Sequence, residues 1–585
     1  MTNHDGVKNS VAITAATLVA IFFMQDQGAL FYLAIIGSAL LVLTAIMSPW
    51  LGLLALFPLA FALRPAPPSV GIQEMAFAAL LMVVFLSALI KLLRAQGFKS
   101  AIRLFAAPLL VGMGFLLLNF AIAMHQHIPL ADWIRGVVPF LFIYTLIPVC
   151  TLVGREEGNI RWLGVSMGTL ILLTAGYIVF YYFYHDLWHA YWTVMVNGET
   201  VRIHQEEALR NAQALGPMRD RITMVVAQAT DAILPLGMVA GYVVSTCTPK
   251  RKMVLAGSFL SLLCMAAVLI TFTRSMLISG LFVIGLFSLY TFFTRKHLRL
   301  KVLSSLVVQG VFAIAFIFGT GMQDVWLGRL NQLTQTALPI ATSSIESIAT
   351  INTQSDTAKP ASSSNTNAKE TAPQKAADKP QAADRKEQEK EREPEKVKEK
   401  EKEKEKEKEK EKEKDKDFNV SSRVEEYKIA WDMFKNHPVF GNGIGVKHEM
   451  RWETSTGHSF TESVGYIHNW PLYTLMVGGV LGLLIYALIL GAPILYRLTA
   501  IKSEPTHFAV IRTAVMTLAI YGLFFAVFRL ISFNLLLAAA WGVMLAHQHS
   551  RREMKTAPTS ADTAHVPTAT ATTRTLVTDN KETSV

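Results

Sequence analysis

Long apolar runs separated by short polar segments dominate the chain. A helix needs about 20 consecutive apolar residues to cross the hydrocarbon core of a bilayer. The long runs cover residues 29–47, 74–93, 104–124, 134–153, 160–184, 223–246, 253–271, 276–294, 302–320, 467–495, 508–527 and 531–548. Two shorter runs, 11–24 and 50–63, are consistent with further spans. The pattern predicts an all-α protein, a polytopic membrane bundle with 12–14 spans.

One long polar segment interrupts the apolar runs. Residues 342–417 are rich in Ser, Thr, Ala and Lys and end in an almost strict Glu-Lys alternation, with too few apolar residues for a core. We expect a disordered, solvated spacer. The predicted parts of the chain are an N-terminal bundle 1–320, a large periplasmic loop 321–466 with an ordered amphipathic helical portion at 421–466, C-terminal membrane helices 467–548 and a disordered cytoplasmic tail 549–585.

Basic residues indicate which ends of the spans face the cytoplasm, because Lys and Arg concentrate in short cytoplasmic loops. Here they cluster at 91–103, 250–252, 295–301, 497–502 and 551–555. Both termini are then inside, and the segments predicted to lie outside are 185–222, 271–275, 321–466 and 527–531. The net charge of +11 sits largely in these basic loops, so it favours anionic lipid headgroups and not nucleic acid as the partner.

Arginine, not lysine, supplies the positive charge of the outside segments before the Glu-Lys tract. These residues are Arg64, Arg135, Arg202, Arg210, Arg219, Arg221, Arg274 and Arg329. A guanidinium can bind a phosphate or carboxylate through two parallel hydrogen bonds, which suits an anionic headgroup. Snorkelling at helix ends gives a similar pattern without a ligand.

Three of these arginines are the best placed for an anion. Arg219 and Arg221 directly precede a predicted span, although Asp220 and nearby glutamates are alternative partners. Arg274 lies in a tight turn at 271–275, close to the bilayer, where an unpaired charge is costly. Such residues tend to be paired or functional.

A short amphipathic helix is predicted after the polar tract. Ser422 to Glu425 form a capping box, and a stripe of Val424, Tyr427, Trp431 and Phe434 predicts an apolar face that lies on the outer leaflet, with Arg423 near the start of the helix. The sequence Asn436-His437-Pro438 should end this helix. The glycines of 441–445 predict a flexible turn.

A His-Asn pair lies at the N-terminal end of the span 467–495. The ordinary pKa of histidine, about 6.5, makes His468 a candidate general base, and Asn469 a candidate for orienting the acceptor or the imidazole. An alternative is that His468 only caps the helix at the interface. Gly478, Gly479 and Gly482 should let another helix approach closely.

Another histidine pair is a candidate metal site. His185 and His189 are four residues apart, so one helix face could present both imidazoles. Tyr and Trp residues surround them, which is typical of an aromatic belt at headgroup depth, and no third ligand is evident. The belt is the favoured interpretation.

Several short motifs together resemble those of bacterial O-antigen ligases. They are His468-Asn469 followed after nine residues by Gly479-Val-Leu-Gly482, Thr273-Arg274-Ser275 between two spans, Arg423 eight residues before Trp431, and His437-Pro-Val-Phe-Gly441-Asn-Gly. The resemblance covers roughly 219–490, and the Glu-Lys tract departs from the family pattern. The same superfamily contains O-antigen polymerases and pilin O-oligosaccharyltransferases, which these motifs do not separate.

The resemblance implies an inner-membrane glycosyltransferase with a GT-C-like helical bundle. Such an enzyme moves a glycan from undecaprenyl pyrophosphate to a hydroxyl of lipid A-core on the periplasmic side, with no nucleotide sugar, cofactor or metal. His468 and Asn469 are the expected catalytic residues. Arg219, Arg221, Arg274 and Arg423 are the expected pyrophosphate-binding residues.

A transporter or lipid flippase is the competing interpretation. That class predicts ionisable residues in mid-span, discontinuous helices and internal repeats. The middle stretches of the predicted spans are nearly free of charge, and the unusual polar residues lie at the outer rim. The sequence therefore favours an enzyme.

Overall fold

The computed structural model describes residues 11–14, 16–17, 36, 39–43, 45–62, 72–96, 98–153, 157–184, 191–196, 199–204, 230–271, 273–323, 326–327, 423–453, 459–496 and 505–556. Helices dominate these residues. We number the longer ones α1 Pro49–Ala62, α2 Ile72–Gln96, α3 Phe98–His125, α4 Leu130–Leu141, α5 Leu146–Val153, α6 Glu157–Tyr184, α7 Leu234–Cys247, α8 Arg251–Ile270, α9 Arg274–Thr294, α10 Arg299–Gly319, α11 423–436, α12 Trp470–Leu495, α13 Thr506–Tyr521 and α14 Ile531–Thr556.

Eight helical segments in the described part of the chain are long and apolar enough to cross a membrane. They are Phe77–Arg94, Pro108–His125, Ile160–Phe180, Arg251–Ile270, Arg274–Thr294, Lys296–Gly319, Trp470–Leu495 and Ile531–Ser550. Shorter apolar helices occupy Pro49–Phe61, Leu234–Cys247 and Thr506–Tyr521. The prediction of an all-α polytopic membrane protein is confirmed. The span predicted at 29–47 lies mostly outside the described residues.

Two predicted spans differ from the helices observed. The run 134–153 is divided into α4 and α5 by a 3-10 turn at Phe142–Thr145. Helix α7 begins only at Leu234, after a 3-10 turn at Thr230–Ile233, although its apolar run starts at 223. Hydropathy identifies apolar runs but not breaks in the backbone. The division of 134–153 into two helices was therefore not predicted.

Strands are confined to two antiparallel hairpins within the described residues. One pairs β1 Tyr191–Val196 with β2 Glu199–His204. The other pairs β3 His448–Glu453 with β4 Ser459–Val464, in the part of 421–466 that follows the predicted helix and its turn. That portion is therefore a helix followed by a hairpin.

Helix α12 is broken in its N-terminal half, and the break organises the packing around it. Gly479 has φ 61° and ψ −159°, a conformation that essentially only glycine adopts. The loop that follows α11 enters this break. The Val480 N–H donates to the carbonyl of Pro438 at 2.9 Å, and the Asn442 N–H donates to the carbonyl of Met476 at 2.9 Å. The freed backbone groups of the membrane helix are thus satisfied by another backbone segment.

The glycines of the 441–445 loop make this insertion possible. Gly441, Gly443 and Gly445 all have positive φ. A Cβ on Gly441 would overlap the backbone at Gly478, and a Cβ on Gly443 would lie 2.9 Å from the Cα of Ala123. The loop is a closely packed insert and not the flexible turn we expected. A backbone loop, and not another helix, makes the close approach at Gly479.

Polar side chains fix the inserted loop to the neighbouring helices. The Asn119 side chain in α3 donates to the carbonyl of Val477 at 3.0 Å and accepts from the N–H of Ile444 at 2.7 Å. Lys447 forms an ion pair with Asp132 in α4 at 2.8 Å. The loop is therefore held by α3, α4 and α12 together.

Helix α11 is confirmed, and the face that it buries in the protein carries Glu426 and not the apolar stripe. Glu426 and Ala430 are buried, whereas Val424 and Trp431 are exposed by 53% and 48%. The predicted apolar stripe therefore faces outward, as a helix on a lipid surface requires, while a carboxylate points into the protein.

A discontinuous helix and a buried charge are features that we associated with a transporter. The break in α12 is filled by the protein's own backbone, so it does not present free carbonyls to an ion. Buried Arg512 in α13 donates to the carbonyls of Ile494 and Tyr496 at 2.8 and 2.7 Å. This arginine closes the C-terminal end of α12, where a cation is favoured by the helix dipole.

Replacing Gly479 by Ala should lower the stability of the folded protein. A Cβ at this position would overlap the backbone of Val439 and Phe440 and would also be strained by the positive φ. Backbone strain of this kind costs about 1–3 kcal/mol, and the overlap adds to it. We expect a lower midpoint of thermal unfolding in detergent.

Gly491→Ala is the matched control in the same helix, because a Cβ there meets no atom within 4 Å. This variant should unfold at or above the wild-type temperature. Equal midpoints for Gly479→Ala and the wild type would contradict the described break.

Candidate active site

A buried carboxylate lies at the centre of the candidate site. The Oε1 and Oε2 atoms of Glu426 lie 2.9 and 3.2 Å from Nδ1 of His468. The backbone N–H of His468 also donates to Oε1 at 3.2 Å. On the other side, the guanidinium of Arg423 donates to Oε2 at 3.2 Å. Arg423, Glu426 and His468 therefore form one hydrogen-bonded chain.

Local helix geometry explains the contact between Arg423 and Glu426. Arg423 and Glu426 are three residues apart on α11, which places their side chains on one face. His468 lies just before α12, and its position is fixed by the cap of that helix. Asn469 is the N-cap residue, and its side chain accepts from the N–H of Leu472 at 3.0 Å.

Asn469 also ties the helix start to neighbouring segments. Its side-chain amide donates to the carbonyl of Leu523 at 3.2 Å, and it forms a hydrogen bond with the Tyr427 hydroxyl. The N–H of Trp470 donates to the carbonyl of Gly522 at 3.0 Å. The capping role that we considered for His468 belongs to Asn469.

Burial dominates the electrostatics of Glu426. Its side chain is only 4% exposed, and burial raises the pKa of this carboxyl to about 7, while the nearby charge of Arg423 acts in the opposite direction. The carboxyl therefore changes charge near neutral pH, while it contacts the imidazole.

The Glu426 contact leaves the two nitrogens of His468 in different environments. Nδ1 faces Glu426, and within the described residues Nε2 has no hydrogen-bond partner. When Glu426 is ionised, it accepts a hydrogen bond from the Nδ1–H group and so favours the tautomer with an unprotonated Nε2. This arrangement suits a base that receives a proton at Nε2 while a carboxylate stabilises the resulting imidazolium.

Aromatic rings surround the imidazole. The ring of Tyr466 meets it edge to face at 5.0 Å, and the ring of Phe525 lies 6.1 Å away. The guanidinium of Arg529 lies over the Tyr466 ring at 4.5 Å. The short connection between α13 and α14 therefore contributes to the wall of the site.

The predicted site residues fall into three groups. The structure brings His468 and Arg423 together through Glu426 and places Asn469 beside them. Arg274 is the first residue of α9, half-buried and directly after buried Thr273. Arg219 and Arg221 lie outside the described residues, as do His185 and His189 and the Glu-Lys tract.

Sequence reasoning missed Glu426, Tyr466 and Arg529. Glu426 follows the glutamate that completes the capping box, and its spacing of three residues from Arg423 was an available signal. Nothing local to Arg529 connects it with His468, because their proximity depends on the packing of α12 against α13.

An apolar cavity lies within the bundle. It has a volume of about 400 Å³ between α3, α12 and α14, and Phe115, Gly482, Tyr486 and Asn534 are among its lining residues. His468 does not line it. Its lining suits a hydrocarbon chain better than a sugar. Among the described residues, no group of three His, Cys, Asp or Glu side chains could hold a metal ion.

Comparison with known proteins identifies the region that contains this site. The family model described as O-antigen ligase matches residues 259–487. The matched range includes Arg274, Arg423, Glu426 and His468, as well as the break at Gly479. No curated protein matches the chain.

Proposed function

Because residues 259–487 of this chain belong to the O-antigen ligase family, we propose that the protein is a lipid-linked-glycan-dependent glycosyltransferase of the ligase type. In this proposal it transfers a glycan from undecaprenyl pyrophosphate to a hydroxyl of lipid A-core, on the periplasmic side of the bacterial inner membrane. The observation that carries the proposal is His468, held at Nδ1 by buried Glu426 at the start of a membrane helix.

The reaction requires one proton transfer and one displacement. The acceptor hydroxyl oxygen forms a bond to the anomeric carbon of the glycan, and the bond from that carbon to the diphosphate oxygen breaks. The electron pair of the broken bond remains on the undecaprenyl diphosphate. The hydroxyl proton passes to Nε2 of His468, and Glu426 stabilises the imidazolium through Nδ1. Asn469 is proposed to orient the imidazole or the acceptor by fixing the backbone beside it.

The leaving diphosphate requires positive donors. Arg219, Arg221, Arg274 and Arg423 are the proposed source, and hydrogen bonds to charged oxygens are roughly twice as strong as neutral ones. Arg423 is already close to the site, because it lies 3.2 Å from Glu426. Donors aimed at charge that develops during the reaction are typically among the largest contributions to catalysis.

The basic loops support the proposed membrane side. Lys250, Arg251 and Lys252 lie at the start of α8, and the basic residues from Arg295 to Lys301 lie between α9 and α10 and in the first turn of α10, as expected of cytoplasmic ends. Arg274 starts α9 at the opposite end of that helix. This supports a site that faces away from the cytoplasm.

His468→Ala should abolish glycan transfer from undecaprenyl pyrophosphate while the protein inserts at normal levels. General-base catalysis is typically worth 10²–10⁴ in rate, so we expect a loss of at least about 100-fold. The measurement is transfer by purified protein from a lipid-linked glycan to lipid A-core. The control His125→Ala removes an exposed histidine at the end of α3 and should leave the rate unchanged. Retained activity in His468→Ala would remove this residue as the base.

The rate of transfer should rise as the pH increases through about 7. The pKa of Glu426 is raised to about 7 by burial, so the carboxyl is neutral below that pH and becomes the required acceptor for Nδ1–H above it. Glu426→Gln has no carboxyl to ionise. It should be slower at high pH, and the part of the pH dependence that Glu426 contributes should disappear.

Arg423→Gln tests the role of Glu426 in the pH dependence in a second way. Removing the guanidinium removes the charge that lowers the pKa of Glu426, so the rise in rate should move to higher pH. Normalised pH profiles that coincide for the wild type, Glu426→Gln and Arg423→Gln would contradict the proposed role of Glu426.

A further inference from the structure

Arg529 lies in the short connection between α13 and α14, close to His468 but far from it in sequence. It ends a 3-10 turn at Val527–Arg529. The family match ends at residue 487 and does not include this residue. We propose that Arg529 binds the diphosphate of the lipid-linked donor. This inference rests on the proposed function, because it assumes a diphosphate substrate.

Two ring contacts place the guanidinium beside the base. Arg529 lies over the Tyr466 ring at 4.5 Å, and the same ring meets the imidazole of His468 at 5.0 Å. Phe525, from the same connection as Arg529, lies 6.1 Å from His468. Tyr466 therefore links Arg529 to His468, and in this proposal the phosphates of a donor that reacts at His468 bind Arg529.

The turn that carries Arg529 is held rigidly. Buried Asn534 in α14 donates to the carbonyls of Phe528 and Leu530 at 2.7 and 3.0 Å, on both sides of Arg529. The ring of Phe528 packs against that of Tyr473 at 4.8 Å. A fixed position reduces the ordering cost of binding an anion.

The guanidinium of Arg529 is more available to bind an anion than the guanidinium of Arg423. Arg423 already faces the carboxylate of Glu426 at 3.2 Å. Arg529 forms no ion pair and no side-chain hydrogen bond with any residue that the structure describes, and its contact there is with the face of a neutral ring. A ring face attracts the cation but leaves N–H donors for oxygen ligands.

A diphosphate is the ligand that fits this arrangement. Arginine presents donors in a fixed fork, which matches two phosphate oxygens at once. A cation at the membrane edge that has no carboxylate partner among the described residues is costly unless a ligand supplies the negative charge. The reaction leaves that negative charge on the diphosphate, which Arg529 would stabilise while Glu426 stabilises the protonated imidazole.

The test uses purified full-length protein in lipid nanodiscs, with undecaprenyl diphosphate and undecaprenyl monophosphate as probes. Arg529→Gln should weaken binding of the diphosphate by about tenfold or more, the size expected when charge-assisted hydrogen bonds are lost. Arg529→Lys should recover part of the affinity, because it keeps the charge but not the fork. Binding of the monophosphate should change less than binding of the diphosphate.

Arg299→Gln is the matched control. Arg299 also lies over an aromatic ring, that of Phe292, at 5.0 Å, but at the start of α10. Its loss should leave both affinities unchanged. The midpoint of thermal unfolding for each variant separates a binding defect from misfolding, and Arg529→Lys keeps the test valid if Arg529→Gln is unstable.

Two results would overturn the inference in distinguishable ways. If wild-type protein binds undecaprenyl diphosphate and Arg529→Gln binds it equally well, Arg529 has no such role, while the proposed function stands. If wild-type protein does not bind undecaprenyl diphosphate at all, the proposed function fails together with the inference.

Discussion

The contact between the Glu426 carboxylate and His468 is the interaction on which this site depends. It joins two segments that are 42 residues apart in sequence, through the imidazole and the backbone N–H of the same residue. A buried carboxylate is expensive unless it is paired and hydrogen-bonded. Glu426 satisfies that requirement with Arg423 on one side and His468 on the other. The tautomer and orientation of the proposed base follow from this pairing.

The break in α12 keeps these two segments together. The loop after α11 is inserted at Gly479, and the same helix begins immediately after His468. Helix α12 therefore fixes both partners of the contact: the imidazole at its start and, through the inserted loop, the helix that carries Glu426. Asn119, Lys447 and Asp132 fix the loop further. The glycines allow close backbone packing here, and the geometry of the proposed site depends on that packing.

The features that could be predicted from the sequence are those that depend on residues close together in the chain. Hydropathy predicted the helical membrane bundle, and capping and breaking residues predicted α11. His468 stood out because of its place at the mouth of an apolar run, and Arg423 because of its place in a motif. Glu426 and Arg529 could not be recognised in the same way. The spacing of Glu426 from Arg423 indicates their pairing on α11, but no local pattern indicates that either Glu426 or Arg529 lies near His468.

The same limit explains the differences at the glycines and on α11. The glycines of 441–445 predicted a flexible turn, but the loop is closely packed. At Gly479 the close partner is this loop, whereas a Cβ on Gly478 would lie 3.2 Å from Phe115 of helix α3. The stripe of Val424 and Trp431 was found, yet the opposite, partly charged face is the buried one. Amphipathicity shows which residues avoid water. On α11 the face buried in the protein carries the carboxylate of Glu426, and the exposed apolar face suits lipid.

Glycolipid analysis of a bacterial strain that lacks this protein tests the central claim most directly. Lipopolysaccharide and undecaprenyl-linked glycan would be extracted from the same cells, with the wild-type chain restored as the control. Our account predicts bare lipid A-core together with long glycan retained on the lipid carrier. Core capped by a single repeat unit would identify a polymerase, and an unchanged lipopolysaccharide ladder would contradict transfer to lipid A-core.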